Sequence, residues 1–336
     1  MGFGGALTSL AWSPDGQFLA ASDGRSGVAD HHAYLWNRQT KKLISLIGHI
    51  GAIHEVAWSP DGQLLATGSA DETVRLWTPK GTLVQTLKAN AGTVFKVVWS
   101  PDGTLLAAGS VYSPTQNTVQ LWRVKDWALV ATMHTTYSGG KFYNLGWSPD
   151  GKYLVGGAIS YTEWRADGTE VFTYPSCASC TPAWGFAWSP DSTKWAIGNE
   201  NGDILMFNTE GQQTVNFRNS SGNVDWLAWS PDGAALAGGR VTLWNPDGKV
   251  IDIRGAEGLI DYLAWSPDSQ HLAGINRASN APTNKIFLWN RTDRELVTLV
   301  GHEQVVTALA WSPDGTLLAS GSLDRTIRLW TIGKSR

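Results

Sequence analysis

A five-residue phrase, Trp-Ser-Pro-Asp-Gly, opens at Trp12 and recurs at Trp58, Trp99, Trp147, Trp188, Trp229, Trp265 and Trp311, with Ser192 and Ser269 replacing the glycine in two copies. The mean period is about 43 residues. A unit of that length buries too little surface to fold alone, so the chain must stack its units against one another. A second aromatic falls near the end of each unit, at Trp36, Trp77, Trp122, Trp164, Phe207, Trp244, Trp289 and Trp330. Most of the chain's 19 tryptophans therefore belong to the repeat itself.

Each unit reads as the same short strands. In the last one, "VTALAW" leads into the Pro-Asp-Gly turn, "LLASGS" follows, and a tight turn at Asp324 leads to "IRLW". Earlier units add a fourth strand, such as "LVQTL" at 83–87. Proline presets its own backbone angle and aspartate bonds nearby amides, so the repeated phrase is read as the turn between the first two strands. The second residue before the repeated tryptophan is Leu10, Val56, Val97, Leu145, Phe186, Leu227, Leu263 or Leu309, a core position in every unit. Four-stranded units covered on both faces by their neighbours are the blades of a propeller. The expected fold is all-β: a single domain over residues 1–336 with eight four-stranded blades. The eighth is expected to lack a proper fourth strand, because six residues follow Trp330 and residues 1–5 are short and glycine-rich.

Composition removes several functions. The net charge is −3 with scattered lysines and arginines, which leaves no basic footprint for a phosphate backbone, so no nucleic acid partner is expected. No run reaches the length of a membrane helix, and the start carries neither a basic segment nor an apolar signal core; no membrane partner is expected and a cytoplasmic setting is. Gly-x-Ser-x-Gly, His-Glu-x-x-His and calcium-loop patterns are absent, and the "GKS" at 333–335 lacks the leading glycine of a phosphate loop. Cys177-x-x-Cys180, even with His134, falls short of a four-ligand zinc site. These are read as two loop cysteines, with no metal, cofactor or catalytic residue expected.

The complete pattern resembles the WD40-repeat family, whose members form propellers. Units two and eight match best, through Gly48-His49, Thr67, Asp71 and Trp77, and through Gly301-His302, Ser320, Asp324 and Trp330. The resemblance implies that each set forms a buried hydrogen-bond network, which accounts for His49 and His302 without catalysis. Residue for residue the chain departs from the family where its name-giving aspartate should stand: Asn37, Thr78, Arg123, Arg165, Asn208, Asn245, Asn290 and Thr331 occupy that place. Units one and three to seven also lack the Gly-His pair, so they are expected to hold by aromatic packing. The phrase alone is shared with TolB-like propellers. The resemblance is taken as being to bacterial-type members, in which the propeller often sits behind a kinase, nucleotidase or protease-like domain, implying a larger protein.

In the family's geometry the loops between second and third strands, and those leading into the next blade, share one face, the top. Three such loops are enlarged, at 24–32, 111–117 and 276–284. Four and three residues before the repeated tryptophan the sequence varies in kind: Thr8-Ser9, His54-Glu55, Phe95-Lys96, Tyr143-Asn144, Trp184-Gly185, Asp225-Trp226, Asp261-Tyr262 and Thr307-Ala308. Units three to seven each place one aromatic there. These rings either pack between blades or form a binding surface, and burial distinguishes the two. The candidate binding residues are Phe95, Tyr143, Trp184, Trp226, Tyr262, His54, Glu55, Lys96, Asn144, Asp225 and Asp261. The expected function is a non-catalytic scaffold or sensor that holds a protein or peptide on its top face. A small-molecule or glycan site at the channel mouth is the alternative, and an enzyme a distant third.

Overall fold

The computed structural model describes residues 5–24, 31–89, 92–113, 116–135, 144–157, 160–174, 183–218, 222–239, 241–253, 260, 262–276 and 284–333. The described residues form eight antiparallel sheets, one per repeat, each a meander in sequence order. Seven have four strands. The eighth has three among the described residues: Val306–Trp311, Leu317–Ser322 and Ile327–Thr331. Two compact units emerge, Met1–Leu145 with Thr307–Arg336, and Gly146–Val306.

Burial explains the strand sequences. The second strands Leu65–Ser69 and His271–Ile275 are buried throughout, because neighbouring sheets cover both faces, and apart from His271 they carry small or apolar residues. Fourth strands such as Leu83–Lys88 have one covered face and alternate accordingly, with Leu87 buried and Val84 exposed.

The repeated phrase does more than turn the chain. Within it, Ser13 Oγ donates to Asp15 Oδ1 at 2.5 Å and accepts from the Phe18 amide at 2.9 Å, while the Gln17 amide donates to Asp15 Oδ1 at 3.0 Å. Gly16 sits at φ 67°, the left-handed region that glycine enters without strain. The tryptophan joins adjacent blades. In the first unit the indole Nε1 of Trp12 donates to Ala310 O at 3.2 Å, that of Trp58 to Ala11 O at 3.2 Å and that of Trp99 to Ala57 O at 3.0 Å. In the second, Trp188 donates to Gly146 O and Trp265 to Ala228 O, both at 3.1 Å. Of the blades without the Gly-His pair, one, three, five and seven are thus strapped by hydrogen bonds, while the Trp147 and Trp229 indoles of blades four and six have no such partner.

Two arginines repeat the same device. Arg38 lies over the Trp12 ring and bonds Asp314 of the preceding blade at 2.8 Å; Arg291 lies over Trp265 and bonds Asp232 at 2.7 Å. Where serine replaces the glycine, its left-handed backbone is compensated. Ser192, at φ 61°, accepts the Asp150 amide at 2.9 Å, and Ser269, at φ 60°, accepts the Asp232 amide at 3.0 Å.

The network of the second blade is complete. His49 Nδ1 meets Asp71 Oδ2 and His49 Nε2 meets Thr67 Oγ1, each at 2.7 Å, and Trp77 Nε1 donates to Thr67 Oγ1 at 3.0 Å. Burial pulls His49 below its ordinary pKa against the pull of Asp71. The same burial pushes the Asp71 carboxyl up, but the bonds from His49 and Thr73 outweigh it and hold Asp71 well below the usual carboxylate range. In the eighth blade Trp330 Nε1 donates to Ser320 Oγ at 2.8 Å. Blades six and seven place Gly238 and Gly274 opposite Leu227 and Leu263, where blade two has Thr67, and the indoles of Trp244 and Trp289 lack a hydrogen-bond partner.

Candidate functional site

The position four residues before the repeated tryptophan lies at a register shift in the first strand, between Leu7 and Ser9 in blade one and between Ile53 and Glu55 in blade two. Such a bulge re-aims the side chain, here toward the next blade. Thr8 Oγ1 donates to Ile53 O at 2.9 Å and Thr307 Oγ1 to Leu7 O at 2.6 Å. In blades one and eight this position therefore serves the joints between blades.

Blades two and three replace those hydroxyls with rings. His54 stacks on Phe95 at 4.7 Å between centroids and 28° between planes. Beside the stack, Lys96 Nζ bonds Glu55 Oε2 at 2.9 Å, with both side chains about one-quarter exposed. Burial, with the charge of His31 second, pulls His54 below its ordinary pKa, so a neutral ring faces Phe95. His31, expected in a loop, is buried just before the strand that His32 begins. Asn144 is buried, at 9% exposure.

In the second unit Trp226 and Tyr262 meet at 4.6 Å and 34°. The Trp226 indole Nε1 donates to Leu263 O at 3.2 Å, which fixes the edge of the ring. Asp225 precedes it, just before the strand Leu227–Trp229, and is half-buried. Phe95, Trp226 and Tyr262 are all half-buried, whereas Leu145 and Leu227 are 7% and 3% exposed. The backbone of Trp184 lies in the strand Ala183–Trp188. The side chain of Trp184, the residues Tyr143 and Asp261, and the Cys177 and Cys180 pair lie outside what is described. So do 25–30 and 277–283 of two enlarged loops; the third, expected over 111–117, is largely strand instead, since Leu105–Ser113 and Gln116–Arg123 take all of it but 114 and 115.

Two features escaped the sequence reading. Glu163 is fully buried between blades four and five, where Trp195 Nε1 donates to its Oε2 at 2.9 Å and its Oε1 has no hydrogen-bond partner. Burial pushes its carboxyl up to about 7. The signal was available: the residue before the third-strand aromatic is Leu35, Leu76, Leu121, Met206, Leu243, Leu288 or Leu329 elsewhere, and glutamate only here. The second feature is a cleft of about 350 Å³ beside the Pro-Asp-Ser turn of blade five and the Pro-Asp-Gly turn of blade six, lined by Pro190, Lys194, Trp229, Pro231 and Pro246 among others. The Trp229 indole Nε1 has no partner there, so the strap seen in other blades is missing at this joint. Among the described residues no group of three His, Cys, Asp or Glu side chains is placed to hold a metal ion. No helix there is long and apolar enough to cross a membrane.

Comparison with known proteins identifies the class. The family model described as the IFT122 first beta-propeller matches residues 6–273, and the model described as WD domain, G-beta repeat matches 293–331. The chain belongs to this WD40-repeat β-propeller family. No curated protein matches it by sequence. Among solved structures, Sqt1 from Chaetomium thermophilum superposes with a TM-score of 0.81 at 16% identity, covering 98% of this chain and 97% of that one. A second Sqt1 structure, bound to the N-terminus of the ribosomal protein L10, superposes with a TM-score of 0.79 at 17% identity over the same shares. The fold is an eight-bladed all-β propeller of antiparallel blades. The bacterial-type attribution finds no support in these matches.

Proposed function

We propose that the chain is a non-catalytic binding propeller, one domain over its length, that holds a protein or peptide on the upper ends of its first strands. The observation that carries this reading is the pair of ring stacks, His54 with Phe95 and Trp226 with Tyr262, left half-buried; the first stands where blades one and eight use threonines to bond the next blade, the second one position further along the chain. Exposed aromatic rings with polar groups at their rim are the composition of interaction hot spots. Glu55 and Lys96 supply such a rim beside the first stack and Asp225 beside the second, with Tyr143, Trp184 and Asp261 assigned to the surface by their matching sequence positions; Asn144, assigned to it by sequence as well, is buried. The Sqt1 structure that shares this fold holds the N-terminus of a ribosomal protein, which supports a peptide ligand. A cytoplasmic setting belongs to the same proposal, as does the absence of any cofactor.

The test is capture from a lysate with the wild type and with a Trp184→Ala/Trp226→Ala variant whose melting temperature is matched to it. Partners retained by the wild type and lost by the variant support the reading. Equal retention overturns it.

A further inference from the structure

Two joints between blades are closed by an arginine that stands two residues after the third-strand aromatic. In the first blade it is Arg38, over the Trp12 ring, with Nη1 on Asp314 Oδ2 at 2.8 Å and Nη2 on Thr316 Oγ1 at 3.2 Å. In the seventh it is Arg291, over the Trp265 ring and on Asp232 Oδ2 at 2.7 Å. At the joint of blades five and six the same place holds Pro246, which brings no cation. The acceptor half of the device is nonetheless intact there. Asp191 Oδ1 accepts Ser189 Oγ at 2.6 Å, the Thr193 amide at 3.0 Å and Thr193 Oγ1 at 2.9 Å. Ser312 and Thr316 serve Asp314 Oδ1 in the same way, at 2.5, 3.0 and 2.8 Å. Among the described residues nothing bonds Asp191 Oδ2, the counterpart of the oxygen that holds Arg38. Asp191, Trp229 and Pro246 all line the cleft of about 350 Å³. We infer that this cleft receives an arginine side chain of a partner polypeptide, whose guanidinium bonds Asp191 Oδ2 and Thr193 Oγ1 beside Trp229 as Arg38 does beside Trp12. The cleft lies at the far end of the first strands from the ring stacks, so this site stands apart from the function proposed above.

The rest of the lining suits the same ligand. Pro190, Pro231 and Pro246 offer apolar walls to the methylene stem of an arginine. The other carboxylate of the lining, Asp232, is already balanced by Arg291 at 2.7 Å, which leaves Asp191 as the one that an incoming cation can pair. Lys194, the cation of the lining, gives its Nζ to Pro246 O at 3.4 Å rather than to Asp191. An ammonium group has further protons to donate, so Lys194 can also hold a backbone carbonyl of the ligand, which favours an arginine within a peptide over a bare cation. Lysine fits less well. Its point charge serves one acceptor, whereas the guanidinium fork reaches a carboxylate and a hydroxyl together. The acceptors are also set before binding, since the bonds to Asp191 Oδ1 already fix the carboxylate, and little freedom is lost when the ligand arrives.

The experiment uses the full chain labelled with fluorotryptophan, with the Trp229 fluorine signal assigned by its loss in Trp229→Phe. Acetyl-arginine methylamide is titrated against the same derivatives of lysine and of citrulline, the second of which keeps the shape of arginine without its charge. The expected result is a saturable shift of the Trp229 signal with arginine, a weaker response to lysine and none to citrulline. Asp191→Asn keeps the Oδ1 acceptor for Ser189 and Thr193 and should weaken the arginine response about 5-fold at an unchanged melting temperature. Pro246→Arg supplies the missing guanidinium from within the chain, and should abolish the response while raising the melting temperature. The site is overturned by the absence of an arginine shift, by an equal shift with citrulline, or by an arginine response that Asp191→Asn and Pro246→Arg both leave unchanged. None of these results bears on partner capture by the ring stacks, which the Trp184→Ala/Trp226→Ala variant tests separately.

Discussion

Replacing Glu163 with glutamine tests whether the joint between blades four and five hides a titrating carboxyl. In the folded chain Glu163 has no exposed surface, one bond from Trp195 and a second oxygen without a partner, and burial moves its pKa from 4.5 to about 7. A raised carboxyl pKa means that the folded state prefers the protonated form. The cost is therefore absent below the unfolded value, grows as pH rises through the window from 4.5 to about 7, and is fully present above it. At 1.36 kcal/mol per pH unit that window is worth roughly 3 kcal/mol. Glutamine keeps the acceptor for Trp195 and never ionises, but its amide N–H groups find no acceptor, which costs about 1 kcal/mol at every pH. Glu163→Gln should thus melt slightly below the wild type at pH 5 and above it at pH 8. For a chain this long 1 kcal/mol corresponds to about 1–2 °C, so the gap should change by ~4 °C across the range. Thermal midpoints of both proteins in matched buffers from pH 5 to 8 measure this directly, because all other titrations are common to the two. A difference that stays constant with pH would refute the buried-carboxyl reasoning.

Other joints give further expectations. His49→Ala leaves Asp71 and Thr67 without their buried partner and should cost about 1–3 kcal/mol in a melting assay while leaving partner capture intact. Trp58→Phe removes the strap to Ala11 O and should cost about 1 kcal/mol, again read from the melting midpoint. Ser192→Ala keeps the left-handed backbone and loses the bond from Asp150, so it should lower stability by about 1 kcal/mol; Ser192→Gly loses the same bond but relieves the strain and should stay near the wild type.

What the sequence revealed, and what it hid, follows from how repeats encode structure. Columns that are alike in every unit, such as the repeated tryptophan and the apolar residue two before it, are alike because each fills the same place in its own blade, and they gave the fold at once. The chemistry of a joint is harder to read, since it depends on two columns in different units. Arg38 looks like a scattered surface charge until Asp314 of the preceding blade stands 2.8 Å away. Glu163 and Trp195 are the sharpest case. Each is an exception in its own column, glutamate among leucines and methionine, and tryptophan where Leu19, Leu65, Leu106, Leu154, Leu236, Leu272 and Leu318 stand elsewhere. Read separately they are irregularities; placed on neighbouring blades they are one hydrogen bond. The ring stacks follow the same logic, because aromatics at matching positions of adjacent units are brought face to face by the stacking that forms the propeller. In a repeat fold of this kind, exceptions in adjacent units are best read in pairs.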